Sequence, residues 1–160
     1  MANYAITNGS TSNAGSQQAT ASAYTQAVLG VTGANSAPRR VKWYDLLIGT
    51  NGTPADNFIE WTVDKVTLAS TATTATPQPL DAADAAAVST VTVNSSQFGT
   101  ITANSEVFYV GVNQRASYRW VAAPGSELVA PATSSAGFQL RARSAGYTGT
   151  VTGTLLFQEQ

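Results

Sequence analysis

The chain has 160 residues, a formal net charge of −1 and charged side chains at only 11% of its positions, against about 25% in an average globular domain. It contains no cysteine and no histidine, which excludes disulfides, thiol nucleophiles, zinc sites built on these ligands and imidazole acid–base catalysis. The length suits one domain with a single hydrophobic core. We expect neither a membrane nor a nucleic acid as partner, because no apolar run is long enough to span a bilayer and the only basic run, Arg39 to Lys42, is short.

Residues 1–37 are predicted to form a flexible or extended N-terminal arm. Residues 7–23 carry no charge and no large apolar side chain, and the first candidates for docking are Tyr24, Val28 and Leu29. A segment this poor in apolar area cannot offset the entropy lost when it is ordered. Two alternatives stay open: a strand donated to a neighbouring molecule and a disordered tail.

The pattern changes at Pro38, where a β-rich domain over 38–160 is expected to begin. Residues 39–49 carry large apolar and aromatic side chains on both parities, which predicts a strand covered on both faces. Turn-forming residues follow. In the next predicted strand, 58–68, apolar and polar residues alternate around Trp61, so one face of that strand should be solvated.

Residues 69–79 have the composition of a polar linker, and residues 80–88 are predicted to form the one short helix of the chain. Asp81 can cap the free N–H groups of its first turn, and Asp84 lies near the positive end of the helix dipole. Most of the remaining residues are alanines, which have the highest intrinsic helix propensity.

Seven further short strands are predicted, over 91–93, 99–103, 106–113, 116–121, 128–130, 138–143 and 151–158. Turn-rich pieces separate them at the spacing of a two-sheet sandwich. We therefore predict an all-β fold, an antiparallel β-sandwich with one short helix and an N-terminal arm; a closed barrel is the alternative geometry. The predicted core residues are Trp43, Ile59, Trp61, Phe108, Val110, Trp120, Phe138, Leu155 and Phe157.

The carboxylates are spread along the chain, so the sequence offers little to an enzyme. A glycosidase would need two carboxyl groups facing one sugar, here Glu60 with Glu106 or Glu127 converging across the sandwich. Acids on strands more often face solvent. We therefore predict that the protein is not an enzyme.

Two further patterns favour ordinary turn chemistry over a site. Asp56 and Asn57, with the carbonyl groups of the Asn51–Gly52 turn, could ligate calcium through oxygen, but the Asp-rich loop of a dedicated calcium site is missing. We expect no metal and no cofactor. The triplets at Asn8, Asn51 and Asn94 fit the glycosylation pattern, which a chain this rich in Asn, Ser and Thr produces by chance.

Tryptophans and arginines are the candidates for binding surfaces. Trp43, Trp61 and Trp120 could stack on sugar rings if exposed, although their apolar neighbours favour the core. The planar arginine side chain pairs well with carboxylates and backbone carbonyls at subunit contacts. The predicted contact residues are Tyr24, Val28, Leu29, Arg39, Arg40, Arg115, Arg119, Arg141 and Arg143.

Four runs of sequence carry a resemblance to a known group of proteins: VKWYDLLIGTNGTPADN from Val41, TPQPLDAAD from Thr76, NQRASYRWVAAPGSEL from Asn113 and GYTGTVTGTLLF from Gly146. Together they resemble small structural proteins of tailed bacteriophages, and the nearest group is the capsid decoration (cement) proteins with a jelly-roll body. The resemblance covers about residues 40–158. It implies trimers seated between capsomers that clamp neighbouring shell subunits, with no catalytic residues.

Together these observations predict a virion structural protein that reinforces a phage head. Its expected partners are copies of itself, as a trimer, and the major capsid protein, and its expected place is the capsid surface after synthesis in the host cytoplasm. A low-charge surface suits assembly through many modest contacts. The alternative from another class is a carbohydrate-binding or adhesin module, such as part of a receptor-binding fibre.

Overall fold

The computed structural model describes residues 1–9, 26–51, 53, 55–67, 73–95, 97, 99–147 and 149–160. These residues form twelve β-strands, and they include no helix long and apolar enough to cross a membrane. The strands are β1 (Ala2–Thr7), β2 (Ala27–Thr32), β3 (Val41–Asn51), β4 (Phe58–Val66), β5 (Thr73–Thr74), β6 (Gln78–Pro79), β7 (Thr90–Ser95), β8 (Ile101–Asn113), β9 (Tyr118–Val121), β10 (Leu128–Ala130), β11 (Gly137–Arg143) and β12 (Thr150–Glu159).

The strands form two antiparallel sheets. Sheet I has the order β10-β3-β12-β1-β6, and β9 also pairs with β3, on the edge that β10 occupies. Sheet II has the order β5-β7-β2-β11-β4-β8. Every pairing between named strands is antiparallel and joins strands that are not consecutive in the chain. The predicted all-β fold with two antiparallel sheets is confirmed.

Consecutive strands lie at corresponding positions in the two sheets. The central strands of sheet I are β3, β12 and β1, and those of sheet II are β4, β11 and β2, in matching order. The edge strand β8 of sheet II therefore lies on the same side of the sandwich as β9 and β10 of sheet I. We call this the β8–β9 side; β5 and β6 lie on the opposite side.

The core fills the space between the sheets. Trp43 of β3 packs against Phe138 of β11 with ring centres 5.6 Å apart, so the two sheets share one cluster of apolar side chains. Six of the predicted core residues are buried: Trp43, Ile59, Trp61, Phe138, Leu155 and Phe157. The other three, Phe108, Val110 and Trp120, are half-buried because they lie in β8 and β9, where the sandwich ends.

Strand β3 contains a bulge that reverses its alternation. The register with β12 shifts between Leu156 and Phe157, so Tyr44 has no residue directly opposite. Trp43 faces the core before the bulge, and Leu46 faces it afterwards. Apolar residues on both parities therefore reach the same core. The prediction of a strand covered on both faces is wrong here, since the outer face of β3 is partly exposed.

The predicted helix over 80–88 does not form. Asp81 Oδ1 accepts the N–H of Ala83 at 2.9 Å, which closes a single turn. Beyond that turn, backbone groups bond to other elements, as when Tyr4 Oη donates to the carbonyl of Ala85 at 3.0 Å. Most of the alanines are exposed, so a helix here would bury no apolar face, and propensity alone does not stabilise so short a helix.

The predicted N-terminal arm over 1–37 is not confirmed. Strand β1 lies between β12 and β6, with Tyr4 and Ile6 buried. Strand β2 lies between β11 and β7, and each of its residues is buried. The low average apolar content of this range conceals two short strands whose large apolar side chains reach the core. Tyr24 lies in the range 10–25, outside the described residues.

Candidate functional site

Ion pairs within the chain account for most of the charged side chains. Of nine acidic and eight basic residues, six of each are paired: Asp45 with Arg119, Asp56 with Arg115, Glu60 with Arg143, Asp64 with Arg141, Glu127 with Lys42 and Glu159 with Arg39. Each pair joins segments that are far apart in the sequence. Most of the charges are therefore balanced within the fold, between segments that are distant in the sequence.

Glu60 is the centre of an exposed polar cluster on the outer face of sheet II. Its carboxylate accepts a hydrogen bond from Tyr109 Oη of β8 and pairs with Arg143 of β11. The bonds from Arg143 and Tyr109 hold the pKa of Glu60 below its usual value, because both favour the charged carboxylate. The hydrogen bond between Tyr109 and Glu60 also raises the pKa of Tyr109. A carboxylate fixed in its charged form is poorly suited to act as a general acid.

A second charged cluster lies on the outer face of sheet I. Arg119 of β9 binds Asp45 of β3 with both nitrogens of its fork, Nε to Oδ1 at 2.9 Å and Nη2 to Oδ2 at 2.5 Å. The bond to Asp45 raises the pKa of Arg119. Bidentate geometry is the strongest form of this contact, so the pair fixes the short edge strand to the sheet.

The four arginines from residue 115 onward do not gather on one face. Arg119 lies on sheet I, whereas Arg141 and Arg143 lie on β11 of sheet II. Arg115 lies in the turn after β8 and pairs with Asp56 at 2.8 Å. Arg141 is buried. As a set, these residues do not form the single contact face that their proximity in sequence suggests.

The predicted contact residues nearer the N-terminus do not share one surface either. Val28 and Leu29 are buried in the core, so neither offers a surface to a partner. Arg39 pairs with Glu159 at 3.7 Å. Arg40 is exposed, and its backbone exchanges two hydrogen bonds with Gln160.

The candidate catalytic carboxylates do not converge. Glu106 pairs in register with Asp64, four residues along β4 from Glu60, a separation of about 13 Å along the strand. Glu127 lies beside sheet I, where Lys42 at 3.0 Å lowers its pKa. Among the described residues no group of three or more Asp or Glu side chains could hold a metal ion.

The turn between β3 and β4 uses its polar side chains for structure. The side chain of Gln114 is central: its Nε2 donates to the carbonyl of Thr53 at 2.5 Å, and its Oε1 accepts from Asn57 Nδ2 at 3.3 Å. Asp56 is occupied by Arg115. Both side chains suggested as calcium ligands therefore already have partners within the fold.

The asparagine of the first glycosylation triplet also has a structural role. Asn8 is buried, and its Nδ2 donates to Asn94 Oδ1 and to the carbonyl of Val151, both at 3.0 Å. Its Oδ1 accepts the N–H of Gly153 at 2.7 Å. The side chain thus ties β1 to β12 and to β7, and its amide is not available to a modifying enzyme.

The tryptophans mostly take the core role that their sequence neighbours favour, and the alternative platform for sugars does not form. Trp43 and Trp61 are fully buried, and Trp120 is half-buried against Phe108 with ring centres 6.0 Å apart. Stacking on a sugar requires an open ring face. Only Trp120 exposes part of its ring.

Exposed apolar side chains are concentrated on the β8–β9 side, a feature that sequence reasoning missed. Eight large hydrophobic residues in the described part of the chain are exposed. Six of them belong to strands at or next to this side: Leu47, Phe58, Tyr109, Tyr118, Val121 and Val129. Contiguous exposed apolar surface marks interaction sites more often than scattered residues do. The sequence could have indicated the exposure of Phe58, because Phe58 and Glu60 are two residues apart in β4 and therefore lie on the same outer face.

A cleft of about 490 Å³ lies on the same side, between the first half of β8 and the turn that joins β10 to β11. Its lining includes the apolar residues Val66, Val107 and Phe138 and the charged residues Lys65 and Glu106. This volume would admit a small molecule, but the polar groups in the lining do not point to one ligand class.

No protein-family model, curated protein or solved structure matches this chain.

Proposed function

We propose that this chain is a virion structural protein, a decoration or cement protein that stabilises the head shell of a tailed bacteriophage. It acts as a homotrimer on the capsid surface, in contact with the major capsid protein, after synthesis in the host cytoplasm. It needs no catalytic residue, cofactor or metal for this role. The resemblance of residues 40–158 to such proteins is one support.

The observation that carries the proposal is the use of the charged side chains. Six of the nine carboxylates are held in ion pairs within the chain, so most of the acids take part in contacts inside the fold. A nearly neutral surface suits a protein that must attach in many copies, because modest contacts then add through multivalency.

The arrangement of strands supports a body of jelly-roll type. Consecutive strands such as β1 and β2, or β11 and β12, lie in different sheets at matching positions, and the described strands form no hairpin. A chain that passes from one sheet to the other between consecutive strands is a property of jelly rolls. The same body serves many functions, however, so the topology supports the proposal without selecting it.

One observation favours carbohydrate binding as a second candidate function. Phe58 and Tyr109 are about 60% exposed on the outer face of sheet II, and Gly111, in β8 beside Glu60, would place a Cβ in open space. Aromatic rings bordering an open floor, with Glu60 and Arg143 beside it, are the kind of surface on which sugar rings stack.

The proposal is tested on heads purified before tails attach. Quantitative mass spectrometry should find this protein at a fixed ratio to the shell protein, and heads that lack it should lose integrity at a lower temperature. Its absence from purified heads would contradict the proposal. Binding to a glycan array, with loss of binding in Tyr109→Ser, would favour the second candidate.

A further inference from the structure

The cleft on the β8–β9 side opens into the space between the two sheets. Residues of β4, β8 and β11 in sheet II line it together with residues of β10 in sheet I. One of the lining residues, Phe138, is buried and packs against Trp43 of the core. The cleft therefore leads from the surface to the edge of the core, and its volume of about 490 Å³ is in the range of small-molecule sites.

Lys65 lies on the inner face of sheet II, the face on which β4 otherwise places core residues such as Trp61 and Val63. It is directly opposite Phe138 in the register of β4 with β11, and side chains directly opposite each other lie on the same face of a sheet. Lys65 is nevertheless exposed, and it lines the cleft. A positive charge thus stands at the opening between the sheets, beside the ring of Phe138.

Lys65 has no ion pair among the described residues, which include every charged side chain of the protein. Six of the eight basic residues are paired with carboxylates. The other exception is Arg40, which precedes β3 and does not line the cleft. A site that offers an unpaired cation is complementary to an anionic group of a ligand.

Glu106 also lines the cleft, but the strand register separates it from Lys65. Glu106 is opposite Asp64, which precedes Lys65 in β4 and therefore lies on the other face of the sheet. The side chain of Asp64 is on the outer face, where it bonds to Arg141. As a set, the polar groups of the lining do not select a ligand, but Lys65 is the charged residue that the register places on the inner face.

We propose that the cleft binds a small molecule with an apolar chain and one carboxylate, such as a medium-chain fatty acid. The carboxylate pairs with Lys65, and the chain lies against apolar lining residues that include Val66, Ala130 and Phe138. With about 30 Å³ for a group the size of a water molecule, a chain of about ten carbons fits this volume. A sugar is disfavoured, because its hydroxyl groups would lose water against apolar walls without gaining hydrogen bonds.

Isothermal titration calorimetry with decanoate, below the concentration at which it forms micelles, tests the proposal directly. Decanoate should bind at a single site per chain. Decanol, which has the same chain without the charge, should bind at least about tenfold more weakly, because a hydrogen bond to a charged group is worth that factor or more. Decylamine, a cation at neutral pH, should bind more weakly still. Absence of decanoate binding at millimolar concentration, or equal or tighter binding of decanol or decylamine, would overturn the inference.

Two matched variants distinguish Lys65 from the overall charge of the protein. Lys65→Met keeps an unbranched apolar side chain and should weaken decanoate binding by about tenfold, while decanol binding stays within about twofold of the wild type. Arg40→Met removes the other unpaired cation and should leave both affinities within about twofold. Unchanged decanoate binding in Lys65→Met, or equal losses in the two variants, would overturn the inference.

A third variant, Ala103→Trp, tests whether the chain of the ligand occupies the cleft. Ala103 is exposed and lines the cleft, so a large ring there fills the opening and should weaken the binding of both decanoate and decanol. Saturating decanoate should raise the melting temperature of the wild type, because a ligand stabilises the state that binds it, and should not raise that of Ala103→Trp. Unchanged decanoate binding in this variant would overturn the inference.

The site goes beyond the proposed role on a phage head and does not depend on it. None of these binding results would affect the test on purified heads, so a failure here is distinguishable from a failure of the proposed function.

Discussion

Arg141 Nε donates a hydrogen bond to Asp64 Oδ2 across 2.6 Å, joining β11 to β4, and neither side chain is more than 8% exposed. A buried ion pair is worth little compared with an apolar pair of the same shape. Removing one partner is costly, however, because the other charge is left where water cannot solvate it. The pair should therefore behave as a unit.

We expect Arg141→Ala to lower the free energy of unfolding by about 3–5 kcal/mol, since Asp64 would remain buried and unpaired. The double variant Asp64→Leu with Arg141→Met should recover most of that loss. Urea denaturation measures both values. The control is Lys65→Ala, an exposed change beside Asp64 that should shift stability by about 0.5 kcal/mol or less. A double variant as unstable as the single one would contradict the argument.

The end of the segment before β7 is held by one carboxylate. Glu159 is buried, and its two oxygens accept the N–H groups of Val88 at 3.1 Å and Ser89 at 2.7 Å. Glu159→Ala should cost about 1–3 kcal/mol, the usual result of leaving buried donors unsatisfied. Hydrogen exchange at Val88 and Ser89 should also accelerate relative to the central strands. Glu106→Ala, which removes an exposed carboxylate, should change neither quantity.

The strands were largely predictable because their local patterns are strong. Ile59, Trp61 and Val63 alternate with polar residues, and that alternation predicts β4 and its core-facing side chains. The prediction that the other face of β4 is solvated is only partly right, because Thr62 and Asp64 on that face are buried. The segment at residues 80–88 was not predictable. Its local signals favour a helix, and they are overridden by two distant hydrogen bonds. Tyr4, 81 residues before Ala85, donates to the carbonyl of that residue, and Glu159, 71 residues after Val88, accepts the N–H of that one.

The candidate surface was less accessible to sequence reasoning than the fold. Tyr109 has apolar residues on both sides of it in the sequence of β8, and its exposure follows only from the position of β8 at the edge of a sheet. The arginines were visible as residues, but their partners come from distant segments, as with Arg143 and Glu60. Edge position and long-range partners are properties of topology, which no local pattern encodes.

The burial of Tyr4 predicts that the N-terminus is essential to the body. Its ring stacks on Phe157 with centres 5.5 Å apart, and its hydroxyl bonds to the carbonyl of Ala85. Tyr4→Ala should lower the free energy of unfolding by about 3–5 kcal/mol, as large aromatic truncations do in cores. Met1→Ala, at a residue 87% exposed, should be neutral. Thermal denaturation distinguishes the two, and an unaffected Tyr4→Ala would restore the idea of a dispensable arm.

Stability should fall in acid through Glu60 and Glu127. Hydrogen bonds from Arg143 and Lys42 hold the pKa of each carboxyl below its ordinary value of 4.5. A lowered folded-state pKa adds stability that is complete above the unfolded-state pKa and is lost as the pH falls through the folded-state pKa.

The urea midpoint should therefore decrease between about pH 5 and pH 3, more steeply in the wild type than in Glu60→Gln. Both groups are near solvent, so the effect should be small and should shrink as salt is added. Identical pH profiles for the two proteins would show that Glu60 contributes nothing.

Replacement by alanine is expected to have opposite effects on stability at two glycines that lie in strands. At Gly137 in β11, an added Cβ would lie 2.1 Å from the carbonyl oxygen of Val31 and 2.7 Å from Cα of Thr32, both backbone atoms of the neighbouring strand β2. Gly137→Ala must therefore push two central strands apart, at a cost of about 1–3 kcal/mol or more.

At Gly111 in the edge strand β8, no atom lies within 4 Å of the added Cβ, and alanine loses less entropy on folding than glycine. Gly111→Ala should be neutral or stabilising by up to about 1 kcal/mol. Urea denaturation of the two variants, which carry the same chemical change, compares a closed central strand with an open edge, and equal effects at both positions would contradict the packing described for β2 and β11.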